Sequence, residues 1–270
     1  MEQLKEKQKR LEEYLSGFGS IAIAYSSGVD STYLLHTAAK VLGSRVLAVT
    51  CASCLIPGRE IEDAKEFCKN AGIDHLIIEP DVLSVEGFAA NPPERCYICK
   101  RAIFTMIIEE AGKRGISHVA EGSNTDDDGD FRPGHKAVAE LGVLSPLRAA
   151  GMSKADIRAL SNEAGLKTWD KPSFACLASR FAYGEEITEE KLGMVGRAEQ
   201  LLIDMGFSQM RVRMHGNIAR IEVLPDDLPK VTEEGMRGRI YTELKDMGFS
   251  YVTLDLKGYR TGSMNETLKI

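Results

Sequence analysis

Four short apolar runs that do not alternate with polar residues, separated by helical patterns, constrain the fold of this chain more than any other feature. Ser20–Tyr25 (SIAIAY), Arg45–Thr50 (RVLAVT), His75–Ile78 (HLII) and Ser117–Ala120 (SHVA) read as strands. Helical patterns lie between them over Asp30–Val41, from about Glu60 to Asn70, and across the segment that carries Ile103 to Ala111. Strands that are apolar on both faces and are joined by helices predict a parallel sheet covered on both sides, a doubly wound α/β fold. Ser153-Lys154-Ala155-Asp156 predicts a capping box at the start of one further helix.

The last third is patterned differently. Asp204-Met205-Gly206-Phe207-Ser208 recurs as Asp246-Met247-Gly248-Phe249-Ser250. In each copy a helix is expected to stop at the glycine, with a strand after it. Alternation over Met210–Met214 puts Met210, Val212 and Met214 on an apolar face and Arg211 and Arg213 on the other. Ala219–Val223 alternates in the same way. Val252–Leu256 should bury Val252, Leu254 and Leu256 and turn Thr253 and Asp255 outward. The expectation is a small C-terminal α+β domain whose sheet has one apolar and one charged face. The boundary is placed near residues 181–187, giving domains 1–183 and 184–270.

Between the first strand and its helix lies Ser26-Ser27-Gly28-Val29-Asp30-Ser31-Thr32. Small residues let the backbone wrap closely, free N–H groups converge, and the helix N-terminus adds positive partial charge, which together make an anion site. Ser27 and Ser31 can donate hydroxyl hydrogen bonds. Asp30 would repel a phosphate unless Mg²⁺ lay between them, so an acid here points to a metal–pyrophosphate complex. No lysine stands where a Walker A loop needs one, which excludes that loop, and the GxGxxG dinucleotide reading fails as well. The alternative is a tight turn in which Asp30 or Ser31 caps the helix. Following the first strand of an α/β pattern, the nucleotide reading is the favoured one.

With 43% hydrophobic and 27% charged residues the composition is that of an ordinary soluble domain pair. No run of about 18 apolar residues occurs, and MEQLKEKQKRLEEYL lacks a signal-peptide core, so a cytoplasmic protein without a membrane span is expected. A net charge of −6 argues against a broad nucleic-acid footprint. The loop Asn124–Asp130 begins like a calcium loop, but its twelfth position is His135 rather than Glu, and that reading is rejected. Asp126 is left as a Mg²⁺ or substrate candidate or as part of a solvated loop.

Six cysteines without a secretory signal do not suggest a disulfide scaffold. Cys96 and Cys99 form a CxxC near a helix start, and Cys176 stands alone in Pro172–Arg180 (PSFACLASR). The CxxC is open between a redox pair, half a zinc site and cluster ligands. Cys51 and Cys54, which alone could complete a Cys₄ zinc site, are expected at the nucleotide pocket. Three thiolates would hold a [4Fe–4S] cluster with one iron open to an extra sulfide. Cys68 is read as core packing, and so is Trp169, the only tryptophan.

Ser26–Ser31 resembles the SGGxDS motif of the PP-loop ATP pyrophosphatases, with Ser27 in place of the first glycine. That resemblance implies an adenine nucleotide alpha hydrolase-like sheet that binds ATP at the carboxyl ends of its strands and cleaves it between the α- and β-phosphates. It implies Thr50 and Cys51 near the adenine, and Glu121-Gly122-Ser123-Asn124 near the α-phosphate or ribose. Beyond this loop, Arg132-Pro133-Gly134, Ser173–Arg180, Tyr183–Thr188, Arg211-Val212-Arg213 and Gly258–Ser263 are similar to the LarE family across nearly the whole chain. These are ATP-dependent sulfur transferases that make the pyridinium bisthiocarboxylate mononucleotide (nickel-pincer) cofactor.

The resemblance implies ATP and Mg²⁺ on the Ser26–Ser31 loop, a mononucleotide substrate and adenylation of its carboxylate. It makes Cys176 a sacrificial sulfur donor that ends as dehydroalanine. Cys96 and Cys99 place the chain with a subset that resembles cluster-dependent thiolation enzymes, in which Cys96, Cys99 and Cys176 hold [4Fe–4S]. Arg180 would stabilise a thiolate or the adenylate phosphate, or else pair with an acidic neighbour on the surface. Arg211 and Arg213, with Arg220 on the same face, would take the substrate phosphate, although Glu222 and Asp255 could neutralise them. A homo-oligomer is expected. The competing readings are a tRNA thiolation enzyme of the same superfamily and an ATP-binding regulator without catalysis.

Overall fold

The computed structural model describes residues 2–127 and 133–267. Asp128, Gly129 and Asp130 of the acidic loop, and Arg132, lie outside the described residues. The chain forms two compact units: the described residues up to Val85 together with Glu94–Phe174, and Glu86–Pro93 together with those from Ala175 onward.

In the first unit the four apolar runs become β1 (Ile21–Ala24), β2 (Val46–Cys51), β3 (Asp74–Ile78) and the two-residue β4 (Val119–Ala120). They pair in parallel in the order β3-β2-β1-β4, with Ile21 opposite Val46, Leu47 opposite Asp74 and Ala22 opposite Val119. A parallel bridge from Ala120 to Leu144 continues the sheet beyond β4.

Among the described residues seven helices accompany it: α1 (Glu2–Ser16), α2 (Val29–Leu42), α3 (Gly58–Ala71), α4 (Arg95–Gly112), α5 (Gly134–Glu140), α6 (Pro146–Ala149) and α7 (Lys154–Glu163). Ile21, Ile23 and Ala48 pack on one side with Leu11, Leu34, Leu35, Ala64, Leu147 and Ile157. Ala22, Leu47 and Val49 pack on the other with Phe104, Ile107 and Val138. Adjacent strand residues serve opposite cores, so the runs had to be apolar throughout. Cys68 is buried in the first of these cores, and burial pushes its thiol up to about 12. The capping box forms as expected: Ser153 Oγ accepts from Asp156 N–H, and Asp156 Oδ2 accepts from Ser153 N–H at 2.9 Å. Trp169, expected in packing, is instead 42% exposed.

The second unit holds α8 (Glu189–Asp204), β5 (Met210–His215), β6 (Ile218–Val223), α9 (Leu228–Thr232), α10 (Glu234–Asp246) and β7 (Tyr251–Leu254). β5 and β6 form an antiparallel hairpin, and β7 joins β6 in parallel after the helical crossover. Both DMGFS copies close a helix as the repeat suggested. Gly206 and Gly248 take φ of 84° and 110°, and Phe207 and Phe249 N–H donate back to Leu202 and Leu244 carbonyls.

Two expectations about this sheet are corrected. Leu256 lies beyond the end of β7 and is 91% exposed. Arg211 and Arg213 lie opposite the apolar side chains, but that face is covered, leaving them 3% and 5% exposed. Arg211 is stacked over the Tyr259 ring, and Arg213 Nη2 donates to Ser263 Oγ.

Candidate active site

The strand order 3-2-1-4 reverses direction between β1 and β4, and in open α/β sheets ligands bind at the carboxyl ends of the strands beside such a reversal. The Ser26–Ser31 loop occupies that place. Gly28 is the N-cap of α2 without any side-chain cap, and Thr32 N–H is the group that bonds back to the Gly28 carbonyl, at 2.9 Å. The N–H groups of Val29, Asp30 and Ser31 thus stand ahead of the helix ladder, where the helix dipole favours an anion. Ser26 N–H donates to Ser31 Oγ at 3.3 Å, and Ser31 Oγ donates to the Gly28 carbonyl at 3.2 Å, closing the loop on itself.

Ser27 adopts φ 53°, a conformation that costs a non-glycine residue energy, which is why the related motif carries glycine there. Its hydroxyl is used: Ser27 Oγ donates to Glu60 Oε2 at 3.0 Å inside the protein.

Gly122, after β4, presses on the start of α2. A Cβ there would lie 3.0 Å from Ser31 N and 3.3 Å from the Asp30 backbone. Beside it Glu121 is buried and accepts from Ser123 N–H (3.1 Å), Ser123 Oγ (2.8 Å) and Ser145 Oγ (2.7 Å), with Lys100 Nζ at 3.8 Å. Asn124 Nδ2 donates to Asp30 Oδ1 at 3.4 Å, and Asn124 Oδ1 accepts Asp126 N–H at 2.9 Å.

Lys154 ion-pairs with Asp30, and its N–H donates to Asp126 Oδ2 at 2.9 Å. Burial raises the Asp30 carboxyl above its ordinary range in spite of that lysine. Asn124 touches Asp30 and holds the Asp126 N–H, so Asp30 and Asn124 are the side chains that would hold a Mg²⁺. A hard cation would take over the neutralising role that Lys154 now fills. Sequence reasoning missed Lys154 because its local reading ended at the capping box; its partner is distant in the chain.

Thr50 and Cys51 close β2. Thr50 Oγ1 donates to the Tyr25 carbonyl at 2.9 Å and meets His75 Nε2 at 2.8 Å, so its hydroxyl is engaged within the sheet. Burial pushes the Cys51 thiol up to about 12, which makes it an apolar wall at neutral pH. Cys96 is exposed and Cys99 half-buried on the first turn of α4. Among the described residues no three His, Cys, Asp or Glu side chains gather as metal ligands. Cys96 and Cys99 belong to the first unit and Cys176 to the second.

In the second unit Cys176 is half-buried at the N-cap of the short turn Leu177–Arg180. Arg180 pairs with an acidic neighbour, but inside the protein rather than at the surface. Its guanidinium donates to both Glu199 oxygens at 2.8 Å and to the Ala175 and Cys176 carbonyls at 2.7 and 3.2 Å. Arg213 donates to Glu222 Oε2 at 3.1 and 3.0 Å and to the Ser179 carbonyl at 3.1 Å. Arg220 reaches the other Glu222 oxygen at 3.0 Å. Burial and then the neighbouring Arg180 charge pull Arg211 down to about 10.

The parallel sheet with an uncapped helix N-terminus at its reversal point is a PP-loop α/β fold, and the relatives of the chain make it an ATP-using enzyme of that class. No family model matches the chain. It is 40% identical over 265 residues to an uncharacterized protein of Synechocystis sp., covering 98% of this chain and 99% of the relative. It is 36% identical over 272 residues to pyridinium-3,5-bisthiocarboxylic acid mononucleotide synthase of Lactiplantibacillus plantarum, covering 99% and 97%. A lower likeness, 28% over 201 residues and 69% and 64% of the two chains, relates it to one component of the glutamine-hydrolyzing GMP synthase of Thermoplasma acidophilum. The chain belongs to the LarE family. No helix among the described residues is long and apolar enough to cross a membrane.

Proposed function

We propose that this enzyme adenylates a carboxylate of a pyridinium mononucleotide and replaces the activated oxygen with sulfur. The observation that carries the reading is the open α2 N-terminus with Asp30 beside it, in a chain that aligns with the synthase over 99% of its length.

ATP lies with its phosphates on the Ser26–Ser31 loop, and Mg²⁺ held by Asp30 would neutralise charge building on the pyrophosphate. A substrate carboxylate oxygen attacks the α-phosphorus and pyrophosphate departs. The N–H groups at the start of α2 receive the departing charge. A carboxylate oxygen is a poor leaving group whereas AMP leaves readily, which is the purpose of this step.

The Cys176 thiolate then attacks the acyl carbon and expels AMP, forming a thioester. Loss of the Cys176 Cα proton to a base and cleavage of its Cβ–S bond leave a thiocarboxylate on the substrate and dehydroalanine in the chain. Arg180 holds the carbonyls of Ala175 and Cys176 and so fixes the backbone from which the sulfur projects. Arg211 and Arg213 are the cations assigned to the substrate phosphate, an assignment supported by the likeness to the mononucleotide synthase.

Carboxylate-dependent pyrophosphate release tests the first step and Cys176→Ala the second. The variant should release pyrophosphate and form no thiocarboxylate. ATP binding with no pyrophosphate release under any carboxylate would displace this reading in favour of a regulator, and salt-sensitive affinity for tRNA in favour of a tRNA enzyme. Intact protein mass after turnover, with bound iron and sulfide, would replace sacrifice by cluster-borne sulfide.

A further inference from the structure

We propose that Glu60 is a positioning residue that couples nucleotide occupancy of the Ser26–Ser31 loop to the placement of Lys171–Phe174, the stretch that runs into Cys176. The inference rests on the nucleotide reading of the loop and adds a role for residues that the reaction scheme leaves unused.

Glu60 lies on the first turn of α3 and is 8% exposed. A buried carboxylate needs partners, and its partners come from two distant parts of the chain. Ser27 Oγ donates to Glu60 Oε2 at 3.0 Å, and Lys171 Nζ lies 2.8 Å from the same oxygen. Arg59 Nε is 3.5 Å from Oε1, and the Arg59 guanidinium stacks 5.3 Å from the ring centre of Phe174. Lys171 is anchored a second time by Asp63 at 2.8 Å. One carboxylate thus joins the strained residue of the phosphate loop to both ends of the 171–174 segment. Ala175 and Cys176 follow Phe174 directly in the chain.

The coupling follows from a competition for one proton. An arriving phosphate is a stronger acceptor for the Ser27 hydroxyl than a carboxylate already shared with two cations. When the hydroxyl turns to the phosphate, Glu60 loses its neutral donor. The charge left on the buried carboxylate then falls entirely to Lys171 and Arg59, which draws their segment tighter. A glycine at position 27 would relieve the backbone strain and break the link, so a serine at this otherwise unfavourable φ has a use.

The test reads Cys176 alkylation by iodoacetamide, resolved from the other cysteines by peptide mass spectrometry. It is run with and without Mg²⁺ and an ATP analogue whose α–β bridging oxygen is methylene. In the native sequence the analogue should change the alkylation rate of Cys176. In Glu60→Gln and Lys171→Met that response should vanish while pyrophosphate release persists, and the double variant should behave like either single one. Sulfur transfer in these variants should fall by up to about 100-fold without a matching rise in KM for ATP, as expected of misplacement. Should Glu60→Gln fold poorly, Lys171→Met carries the same comparison. An unchanged response in both variants, or no response in the native sequence, overturns the proposal. A response without any sulfurated product would leave the coupling standing and refute the sulfur-transfer reading instead.

Discussion

Arg180 and Glu199 face each other through two hydrogen bonds of 2.8 Å, with 1% of either side chain exposed. The same carboxylate accepts Val212 N–H at 3.0 Å, so one pair joins the Cys176 turn to α8 and to β5. Glu199→Ala would leave a guanidinium buried without its anion. A loss of about 3–5 kcal/mol is expected, read from the denaturant midpoint.

The pair also sets an acid limit. Burial raises the Glu199 carboxyl, but the Arg180 charge and its hydrogen bonds outweigh that and hold it below the ordinary carboxylate range. A carboxyl depressed in the folded state stabilises the protein at every pH above its unfolded value, and that stability disappears as pH falls through the folded value. Melting temperature should therefore decline on the acid side in the native sequence, and decline less steeply in Glu199→Gln.

Asp30 has the opposite sign. Its carboxyl is raised by burial, so ionisation at neutral pH opposes folding and binding draws on a group held in a costly state. Asp30→Asn should melt no lower than the native protein while losing carboxylate-dependent pyrophosphate release by about 100-fold or more. In the native enzyme, Mg²⁺-dependent nucleotide affinity should weaken as pH falls through the raised Asp30 value, because the ligand must be deprotonated. Affinity measured against pH by calorimetry checks this.

Gly122 is required by space. The atoms its added Cβ would meet are the backbone of Ser31 and Asp30 and the Asp30 Cβ fixed to it, which cannot yield as the far end of a flexible side chain would. Gly122→Ala should cost about 1–3 kcal/mol of stability. It should also raise KM for ATP by about tenfold or more, since it displaces the helix start proposed to receive the phosphates.

The parallel sheet and the Ser26–Ser31 turn were legible in the sequence because both are written locally. Ile21, Ala22 and Ile23 are apolar in succession since they serve two cores, and Ser26–Ser31 lies within a single strand-to-helix turn. The ion pair between Lys154 and Asp30 joins residues from separate parts of the chain, and no periodicity reports it. The roles of Glu60 and Glu199 were hidden for the same reason. Alternation over Met210–Met214 told which side chains share a face, but not that the charged face would be covered by the segment carrying Tyr259 and Ser263. Leu256 escaped the pattern because β7 ends at Leu254, and alternation has no meaning past the last paired residue.

The central claim is that a carboxylate oxygen leaves with AMP and sulfur takes its place. It is tested most directly by supplying the pyridinium mononucleotide with heavy oxygen in its carboxylates, together with ATP and Mg²⁺, and weighing AMP, product and protein after one turnover. The expected result is AMP carrying one heavy oxygen, a product with one oxygen replaced by sulfur, and a protein lighter at Cys176 by the mass of H₂S. Unlabelled AMP, or ADP and phosphate in its place, would contradict the claim.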